Sequence, residues 1–559
     1  MTCFSLFNNS RLRLGSLLSL GLLFLLTACN DDTAVPTSVP QANLPQVAPV
    51  VVGTPAPTPE MLQAEPGTLA PLPSLEGQVG GVPGLDGAVD TAVGGDTVVG
   101  IVFTDPFSST TFTLNAPLPE SPGETAVLRH QQSGKISLEA AAQLAQKFGF
   151  DGTLYQEAFP DASQLEPGLA DFTPPTIYYA FDNAGIFSID PWSANYHNGD
   201  APYDVESRVD FTTASQAAES FLQEHSLLDF PYTIQQGFGS DLFFMRQIDG
   251  RAANQPEIVV SVNNSGQVSY VSYQVMQNLE DMGTYPLILA EEAWARLQSG
   301  VVANSIPYTL YPADGVTAAD PFANEFQSWT RQYQPGETVQ LYGWPNVYLP
   351  ANGSGTARVQ IFPYLMTGAD ETLNQIAEAV GQQINVNGVI NEDGKGILVN
   401  DWSVANELEP LSLQGTIQRQ GEQVQFAASD GQTYLLPDPP ADLPDEMAAF
   451  VFAWTSQQSE GELPLLQWES IDKSIMFEEE TAATEPGNDS FFYNNVTLDD
   501  VTLAYYLTYI FPAVEPDQIS PATQPTVILQ PAWKFSGTAD NEEKVEFYVQ
   551  AVTGEFVQE

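Results

Sequence analysis

From about Leu128 onward the chain is built from short apolar runs, and this pattern constrains the fold more than any other feature. The runs are rich in β-branched and aromatic residues and end at Gly, Asn, Asp or Pro, which is typical of strands joined by tight turns. Asn263-Asn264-Ser265-Gly266, between two such runs, is a strong hairpin signal. Alanine-rich amphipathic segments predict a few helices between the strands. The sequence therefore predicts an α+β fold with antiparallel sheets.

One pattern, a helix followed by strands, repeats along the chain. Its first copy opens with a helix over 137–145, with Ser137 as N-cap. The second opens with a helix over 213–225, where Thr213 and Gln216 have capping-box spacing, and the third with a helix over 498–509, with the same spacing at Thr497 and Asp500. The strands predicted to follow these helices are 177–181 and 185–190, then 242–247, 258–262 and 267–273, and finally 532–535 and 545–557.

The closing stretch Val545–Val557 resembles the last strands of PepSY-type modules, and the hairpin from Val260 to Tyr273 resembles the same type. The whole also resembles the extracytoplasmic YycH/YycI-like regulatory proteins, which chain such modules. The resemblance implies a helix packed on an antiparallel sheet, and a protein that modulates a sensor kinase or a peptidase. The alternative is convergent antiparallel α+β structure, since Gly266 and Gly554 are turn residues in any hairpin.

A β-rich region separates the second and third copies. Helices are predicted over 290–298 and 373–380, and strands over 329–331, 338–344, 384–390 and 397–399. Five short runs then follow, separated by turns such as Gln420-Gly421 and Asp430-Gly431: 411–417, 424–428, 434–436, 448–454 and 465–468. Short strands with these turns predict a small closed barrel of the OB-like type.

The segment before Leu128 has the composition of a tether. Between Asp31 and Glu124 it is dominated by Pro, Ala, Gly, Val and Thr and contains no Lys or Arg. Such sequences favour extended, polyproline-like conformations. Within it, only 97–103 and 110–114 are typical of strands, and they could form an edge of the folded body. The predicted organisation is a signal peptide at 1–28, a tether at 29–124, two PepSY-like modules at 125–300, the β-rich region at 301–475 and a C-terminal PepSY-like module at 476–559.

The first residues follow the layout of an export signal. Arg11 and Arg13 form a positive segment, and the apolar run 14–26 is shorter than the roughly 20 residues needed to span a bilayer. The run ends in Leu26-Thr27-Ala28-Cys29, which resembles the lipobox of bacterial lipoproteins. That resemblance implies cleavage before Cys29 and lipidation (palmitate among the acyl groups) of its thiol. The alternatives are an ordinary signal peptide or an N-terminal membrane helix.

Lipidation would place the protein on the extracytoplasmic side of a cell membrane, held through Cys29. Cys3 leaves with the signal, so no cysteine remains to pair with Cys29 in a disulfide. Asn30, Asp31 and Asp32 resemble a retention signal for the inner membrane in some two-membrane bacteria; inner and outer membrane both remain open.

The charge excludes one class of partner. The chain has 70 Asp+Glu and 16 Lys+Arg, and removal of Arg11 and Arg13 with the signal raises the excess of acids from 54 to 56. Nucleic-acid binding depends on Lys and Arg meeting phosphate, so it is excluded. The acids are dispersed, which favours solubility or a saline exterior over cation capture.

No motif indicates catalysis, a metal or a cofactor. His130, His197 and His225 form no HExxH pattern; His197 is expected in a solvated polar loop and His225 at a helix end. Acid pairs are too common here for their spacing to be informative, and the run 478–480 is more typical of a solvated loop than of a Ca²⁺ site. The aromatic pairs at 491–493 and 505–506 are expected in the core.

These observations favour a non-catalytic, lipid-anchored extracytoplasmic protein that binds an envelope protein or a peptide. Two alternatives remain. A secreted hydrolase would need two facing carboxylates in a deep pocket, at least one of them desolvated. A carrier of a small ligand would need an enclosed apolar cavity within 380–475.

Overall fold

The computed structural model describes most of the chain from Thr68 onward. The described residues are 68–75, 107, 110–131, 136–160, 176–182, 185–199, 201, 209–237, 240–274, 279–299, 303–306, 328–405, 411–421, 423–429, 431–457, 463–473, 493–510, 526–540 and 544–558. Leu26, Thr27, Ala28 and Cys29 lie outside them, as do the predicted strand 97–103 and the acidic run 478–480.

Helices are few in this part of the chain. They are α1 (Leu138–Lys147), α2 (Phe211–Glu224), α3 (Ala290–Gln298), α4 (Asp370–Ala377) and a 3-10 turn at Gly554–Phe556. As predicted, the Ser137 hydroxyl caps α1 by accepting a hydrogen bond from the Ala140 N–H. The cap of α2 is Asp210, whose carboxylate accepts from the Thr213 N–H. The predicted Thr213–Gln216 capping box is therefore wrong, because the helix begins earlier, at Phe211.

Strands make up most of the remainder. In chain order they are β1 (Leu72–Pro73), β2 (Thr111–Leu114), β3 (Glu124–Gln131), β4 (Tyr155–Glu157), β5 (Tyr178–Phe181), β6 (Gly185–Ile189), β7 (Ser193–Asn198), β8 (Tyr232–Gln236), β9 (Asp241–Ile248), β10 (Arg251–Ala252), β11 (Ile258–Val262), β12 (Val268–Gln274), β13 (Leu279–Pro286), β14 (Ala303–Ile306), β15 (Ser328–Thr330), β16 (Thr338–Gly343), β17 (Asn346–Pro350), β18 (Arg358–Ile361), β19 (Tyr364–Thr367), β20 (Ile384–Ile390), β21 (Gly396–Val404), β22 (Leu411–Gln420), β23 (Gln423–Ala428), β24 (Thr433–Leu436), β25 (Glu446–Gln457), β26 (Leu465–Lys473), β27 (Asn495–Ile510), β28 (Thr526–Ala539), β29 (Lys544–Gln550) and β30 (Val557–Gln558). The described part of the chain is therefore β-rich with few helices, and the predicted helix-plus-sheet repeat is not confirmed.

The chain folds into two compact units that do not follow sequence order. Of the described residues, one unit holds 155–160 and 328–473, and we call it the barrel unit. The other holds 68–154, 176–306 and 493–558, and we call it the terminal unit because it contains both ends of the described chain. Each unit has its own hydrophobic core.

The terminal unit contains two mainly antiparallel sheets. In the first, the strands run in the order β10-β9-β11-β12-β7-β6-β5, with β8 beside β9. Helix α2 packs on β9, β11 and β12, and the Asn263–Gly266 hairpin joins β11 to β12 as predicted. In the second sheet the order is β13-β3-β28-β27-β2, with β29 and β14 continuing from β28. Its core surrounds the buried rings of Trp533, Phe535 and Phe547.

The long strand β27 replaces the helix predicted over 498–509. Its sequence is rich in β-branched and aromatic residues, which favour strands. Residues Ala504 to Thr508 are buried in succession, on both faces, whereas an amphipathic helix would bury one stripe. The Thr497–Asp500 spacing is thus a coincidence of composition, and Asp500 lies at an irregularity in the pairing of β27 with β28. The third copy of the helix-plus-sheet pattern lacks its helix.

Residues from the range predicted as tether contribute to the terminal unit. Strand β2 pairs in parallel with β27, and β1 pairs in parallel with β30. Leu72 and Leu75 are buried there. The folded body therefore includes short segments that precede Leu128.

The barrel unit contains a sheet and a closed barrel. The sheet has the strand order β4-β17-β18-β19-β21-β20-β16, and α4 packs beside β18. The barrel has five strands in the order β22-β23-β24-β26-β25, and pairing of β25 with β22 closes it. Strand β15 pairs with β26 as an additional strand. The five predicted runs coincide with its five strands. Its interior holds Ile417, Phe426, Val451 and Trp468.

Candidate functional site

An open groove of about 670 Å³ lies within the terminal unit. Strands β9 and β10 of the first sheet form one wall, and β27, β28 and β29 of the second sheet form the other. A loop from Pro119 to Pro122 borders it. Three distant parts of the sequence therefore meet at one concave surface, which is where ligand sites are usually found.

One wall of the groove contains a gap in the pairing of a strand edge. Along β27, Leu498 O accepts a hydrogen bond from Asn115 N (2.8 Å) and Tyr505 O accepts from Asn254 N (2.8 Å). Among the described residues, no backbone bond reaches this edge between those two points. The residues of the gap, Val501 to Ala504, line the groove.

The backbone groups of Val501 and Leu503 point toward this gap. The N–H and C=O of one strand residue point to the same side, and their direction alternates along the strand. Tyr505 O and Leu507 N both bond to Asn254, at 2.8 and 2.9 Å, so these residues face the gap edge. Leu503 and Val501 follow at intervals of two and share that orientation. The gap thus offers two donors and two acceptors in strand geometry.

A charged cluster occupies the floor of the groove. Lys534 Nζ lies 2.5 Å from Glu546 Oε1, and both side chains are mostly shielded from solvent. Glu546 Oε2 also accepts a hydrogen bond from the Tyr548 hydroxyl (2.9 Å). The ammonium and the carboxylate are therefore held in fixed positions by each other and by the tyrosine.

Arg251 is fixed on the opposite wall. Its Nη1 donates to Thr125 Oγ1 (2.8 Å), and the Tyr505 hydroxyl beside it donates to Ala126 O (3.0 Å). Burial raises the pKa of Tyr505, so the phenol stays protonated and serves as a donor. Arg251 lines the groove, and its guanidinium has five N–H groups in all.

The groove is balanced in charge, unlike the chain as a whole. Its lining includes Glu120 and Glu546 against Arg251 and Lys534, whereas the chain has 70 acidic and 16 basic residues. Apolar rings complete the lining, among them Phe243 and Trp533. A ligand of mixed polarity would meet less repulsion here than on a surface of average composition.

A second cluster of buried ionisable groups lies in the barrel unit. Burial raises the pKa of Glu469, on β26, to about 7, although Arg331 and Tyr333 oppose the shift. Its Oε1 is buried and has no hydrogen-bond partner among the described residues. The Arg331 guanidinium lies over the Tyr333 ring (5.1 Å) and near the Trp468 ring (5.9 Å), and burial raises the pKa of Tyr333 and Tyr364.

The histidines are dispersed. His197 lies in strand β7, so its predicted position in a solvated loop is wrong. Burial of its ring in the sheet lowers its pKa to about 4. His225 is the C-cap of α2, as predicted, and its ring stacks on Phe148. His130 is buried in β3. The structure brings none of these rings into the groove lining.

The predicted core aromatics Tyr505 and Tyr506 are buried, as expected. Glu291 and Glu292 lie in the first turn of α3, and Asp499 lies in β27 and not at a helix start. Within the described ranges, no group of His, Cys, Asp and Glu could hold a metal ion. No helix in that part of the chain is long and apolar enough to cross a membrane.

Sequence reasoning named none of the groove residues as a site. One signal was present: Lys534, a rare basic residue, stands inside the strand Trp533-Lys534-Phe535, and Glu546 holds the same kind of position in β29. The register places Lys534 opposite Tyr548 and Glu546 opposite Ser536, so the two charged side chains are diagonal neighbours, and this register could not be read from the sequence.

No family model and no curated protein sequence matches this chain. Among solved structures, it is similar to the Bacillus megaterium YpeB C-terminal domain, with 11% identity over 48% of this chain and 98% of that chain, at a TM-score of 0.18. At this TM-score the likeness does not establish a shared fold.

Proposed function

We propose that this protein is a non-catalytic, lipid-anchored extracytoplasmic binding protein, and that the groove of its terminal unit binds an extended segment of an envelope protein or a peptide. The observation that carries the proposal is the gap in β27. A ligand strand added there would pair with Val501 and Leu503 and complete the edge between β2 and β10.

The surroundings of the gap favour a peptide of mixed character. Strand addition gives affinity through main-chain hydrogen bonds, and flanking side chains give specificity. Four ligand residues in strand conformation span about 13 Å along the gap. The half-buried Phe243 offers apolar contact, while Lys534, Glu546 and Arg251 offer hydrogen bonds to polar groups.

The scaffold fits this use. Helix α2, packed on β9, β11 and β12, supports assignment of this part of the chain as a PepSY-like module. In the barrel unit, the closed order of five strands and the parallel contact of β24 with β26 support an OB-like barrel. Under this proposal the lipid on Cys29 holds the protein at the membrane and the groove presents its binding surface to envelope partners.

Photocrosslinking tests the proposal. The probe p-azidophenylalanine replaces Thr502, an exposed residue of the gap, in the full chain in intact cells; the control places it at exposed Thr338 in the barrel unit. We expect the Thr502 probe to label one extended segment of a partner, read out by mass spectrometry. Equal labelling from both positions would contradict the proposal.

A matched pair of variants then tests the binding mode. Leu503→Pro removes an N–H that faces the gap and leaves the bonds to β28 intact, because that N–H points away from β28. Leu503→Ala shortens the same side chain and keeps the N–H. We expect the proline variant to lose crosslinking from Thr502 by at least tenfold, and the alanine variant to keep most of it. Equal behaviour of the two would exclude strand addition.

A further inference from the structure

Residues 69–75, Leu-Ala-Pro-Leu-Pro-Ser-Leu, lie on the terminal unit in the manner of a bound peptide. Leu72 and Leu75 are 1% and 0% exposed, whereas Pro73 and Ser74 between them are half-buried, as is Pro71. Leu75 packs against Ala504, Tyr506, Ala532 and Tyr548. Two buried leucines, with more accessible residues between them, are typical of an extended peptide ligand.

The main chain of this segment is recognised by side chains of the body. The Tyr285 hydroxyl donates to Ala70 O (2.7 Å), and Gln530 Nε2 donates to Pro73 O (3.2 Å). Leu75 N donates to Gln550 Oε1 (3.1 Å). The remaining contact is strand-like, since Ser74 N donates to Gln558 O (3.0 Å) in the short parallel pairing of β1 with β30.

The two glutamines form a dedicated recognition pair. Gln530 and Gln550 are 0% and 3% exposed, and Gln550 Nε2 donates to Gln530 Oε1 (3.0 Å). Gln530 Nε2 also donates to Thr508 Oγ1 (3.0 Å), which fixes its amide. Buried amides that lose a partner are costly, so this pair needs a peptide main chain, or water, at the position of Pro73 and Leu75.

Proline suits the ligand to this site. Pro71 and Pro73 have no N–H to satisfy and restrict the free segment toward extended conformations, which lowers the entropic cost of docking.

We propose that Tyr285, Gln530, Gln550 and strand β30 form a recognition site for an extended leucine–proline peptide, and that residues 69–75 are its intramolecular, exchangeable ligand. The site adjoins the groove, because Leu75 packs against Ala504 and Tyr548, but its hydrogen-bonding groups on Tyr285, Gln530, Gln550 and β30 are not part of the groove lining. Docking of this segment ties the sequence that follows the predicted lipidation site to the body, and its release lengthens the connection.

A cleavage experiment tests exchange in the native protein. A specific protease site is inserted between Gly80 and Gly81, the purified full chain is cut, and the fragment that carries 69–75 is followed by size exclusion. We expect the fragment to remain bound after cleavage, and excess synthetic peptide 66–78 to displace it. The same peptide with aspartate at the positions of Leu72 and Leu75 should displace at least tenfold less.

Two results would overturn the proposal. Dissociation of the fragment on cleavage, with no binding of peptide 66–78, would show that the site does not recognise this segment. Retention of the cleaved fragment against a large excess of peptide 66–78 would show that residues 69–75 are a permanent part of the core.

A second measurement avoids cleavage. The full-chain variant Leu72→Asp/Leu75→Asp should bind labelled peptide 66–78 at least tenfold more tightly than the native chain does, because its own segment no longer competes. The control Leu62→Asp/Leu85→Asp adds the same charge outside the docked segment and should behave like the native chain. Equal, weak binding by all three proteins, each with a native circular dichroism spectrum, would count against exchange.

Discussion

The two units treat a buried carboxylate in opposite ways. In the terminal unit, Glu257 forms a two-point ion pair with Arg246, whose Nη2 lies 2.7 Å from Glu257 Oε1 and whose Nε contacts Oε2. In the barrel unit, Glu469 has a buried Oε1 that no described residue binds, with Arg331 nearby. Burial raises the pKa of both carboxylates. The two-point bond to Arg246 opposes that rise at Glu257, whereas the pKa of Glu469 reaches about 7 and favours protonation.

The largest effect is expected from breaking the paired case. Arg246→Met leaves Glu257, whose side chain is fully buried, without its partner, and removal of one member of a buried pair costs about 3–5 kcal/mol. The free energy of unfolding of the terminal unit in urea measures the loss. The control Arg246→Met/Glu257→Met should recover most of it. A loss below about 1 kcal/mol for the single variant would show that the pair is not isolated from water.

A smaller effect, dependent on pH, is expected in the barrel unit. The folded-state pKa of Glu469 is raised to about 7 from its ordinary value of 4.5, so the stabilising form is the neutral one. The contribution of Glu469 to stability is therefore fully present below pH 4.5 and is lost as the pH rises to about 7, a loss of about 3 kcal/mol.

Glu469→Gln should remove this dependence and make the barrel unit more stable than the native protein at pH 8. Melting curves between pH 4 and pH 8 measure it. Asp472→Asn, which removes a charge from the same strand, serves as the control. If both variants keep the native pH profile, burial of Glu469 is not its cause.

The ion pair in the groove is expected to contribute less to stability than either of these buried carboxylates. Lys534→Met leaves Glu546, which is only 12% exposed, with the Tyr548 hydroxyl alone, and we expect a loss of about 1–2 kcal/mol in unfolding free energy. Lys544→Met removes an exposed ammonium from the same strand pair and should change stability by less than about 0.5 kcal/mol. Identical losses in the two variants would show that the Lys534–Glu546 pair is solvated.

The smallest change in unfolding free energy is expected from the loss of a single uncharged hydrogen bond. Ser137→Ala removes the side-chain cap of α1 and should lower the unfolding free energy of the terminal unit by about 1 kcal/mol. Ser220→Ala, at an exposed interior position of α2, should have little effect. Denaturant titration of the pair measures the difference; a loss at Ser220 equal to that at Ser137 would contradict the capping role.

Local features of the fold could be predicted, and distant pairings could not. The barrel strands follow one another between Leu411 and Lys473, and each has its own apolar run and turn. Their positions can therefore be predicted from neighbouring residues alone. The hairpin at Asn263–Gly266 is local in the same sense. The sequence predicts a helix at strand β27 from its capping-box spacing, which is a weak signal in an acid-rich chain. Burial on both faces favours the strand instead.

The candidate site could not be predicted from the sequence, since it has no motif. Its gap exists only because β2 and β10 reach β27 at separated points. The burial of Glu469 could not be predicted from its position in the sequence either, because its environment includes Arg331, which is far away in the sequence. Binding as a function class followed from the sequence as a hypothesis, and the residues that could perform it required the three-dimensional structure.

The split construction of the terminal unit affects how the chain can fold as it emerges. Strand β3, near the start of the body, pairs with β28, and β2 pairs with β27, so these contacts join residues roughly 400 positions apart. The barrel strands are all supplied within one short stretch. The barrel can therefore close before the last strands are available, whereas the second sheet of the terminal unit must wait for them. Until then, the edge of β3 that pairs with β28 is open, and the excess of acidic residues would help to keep the waiting chain from aggregating.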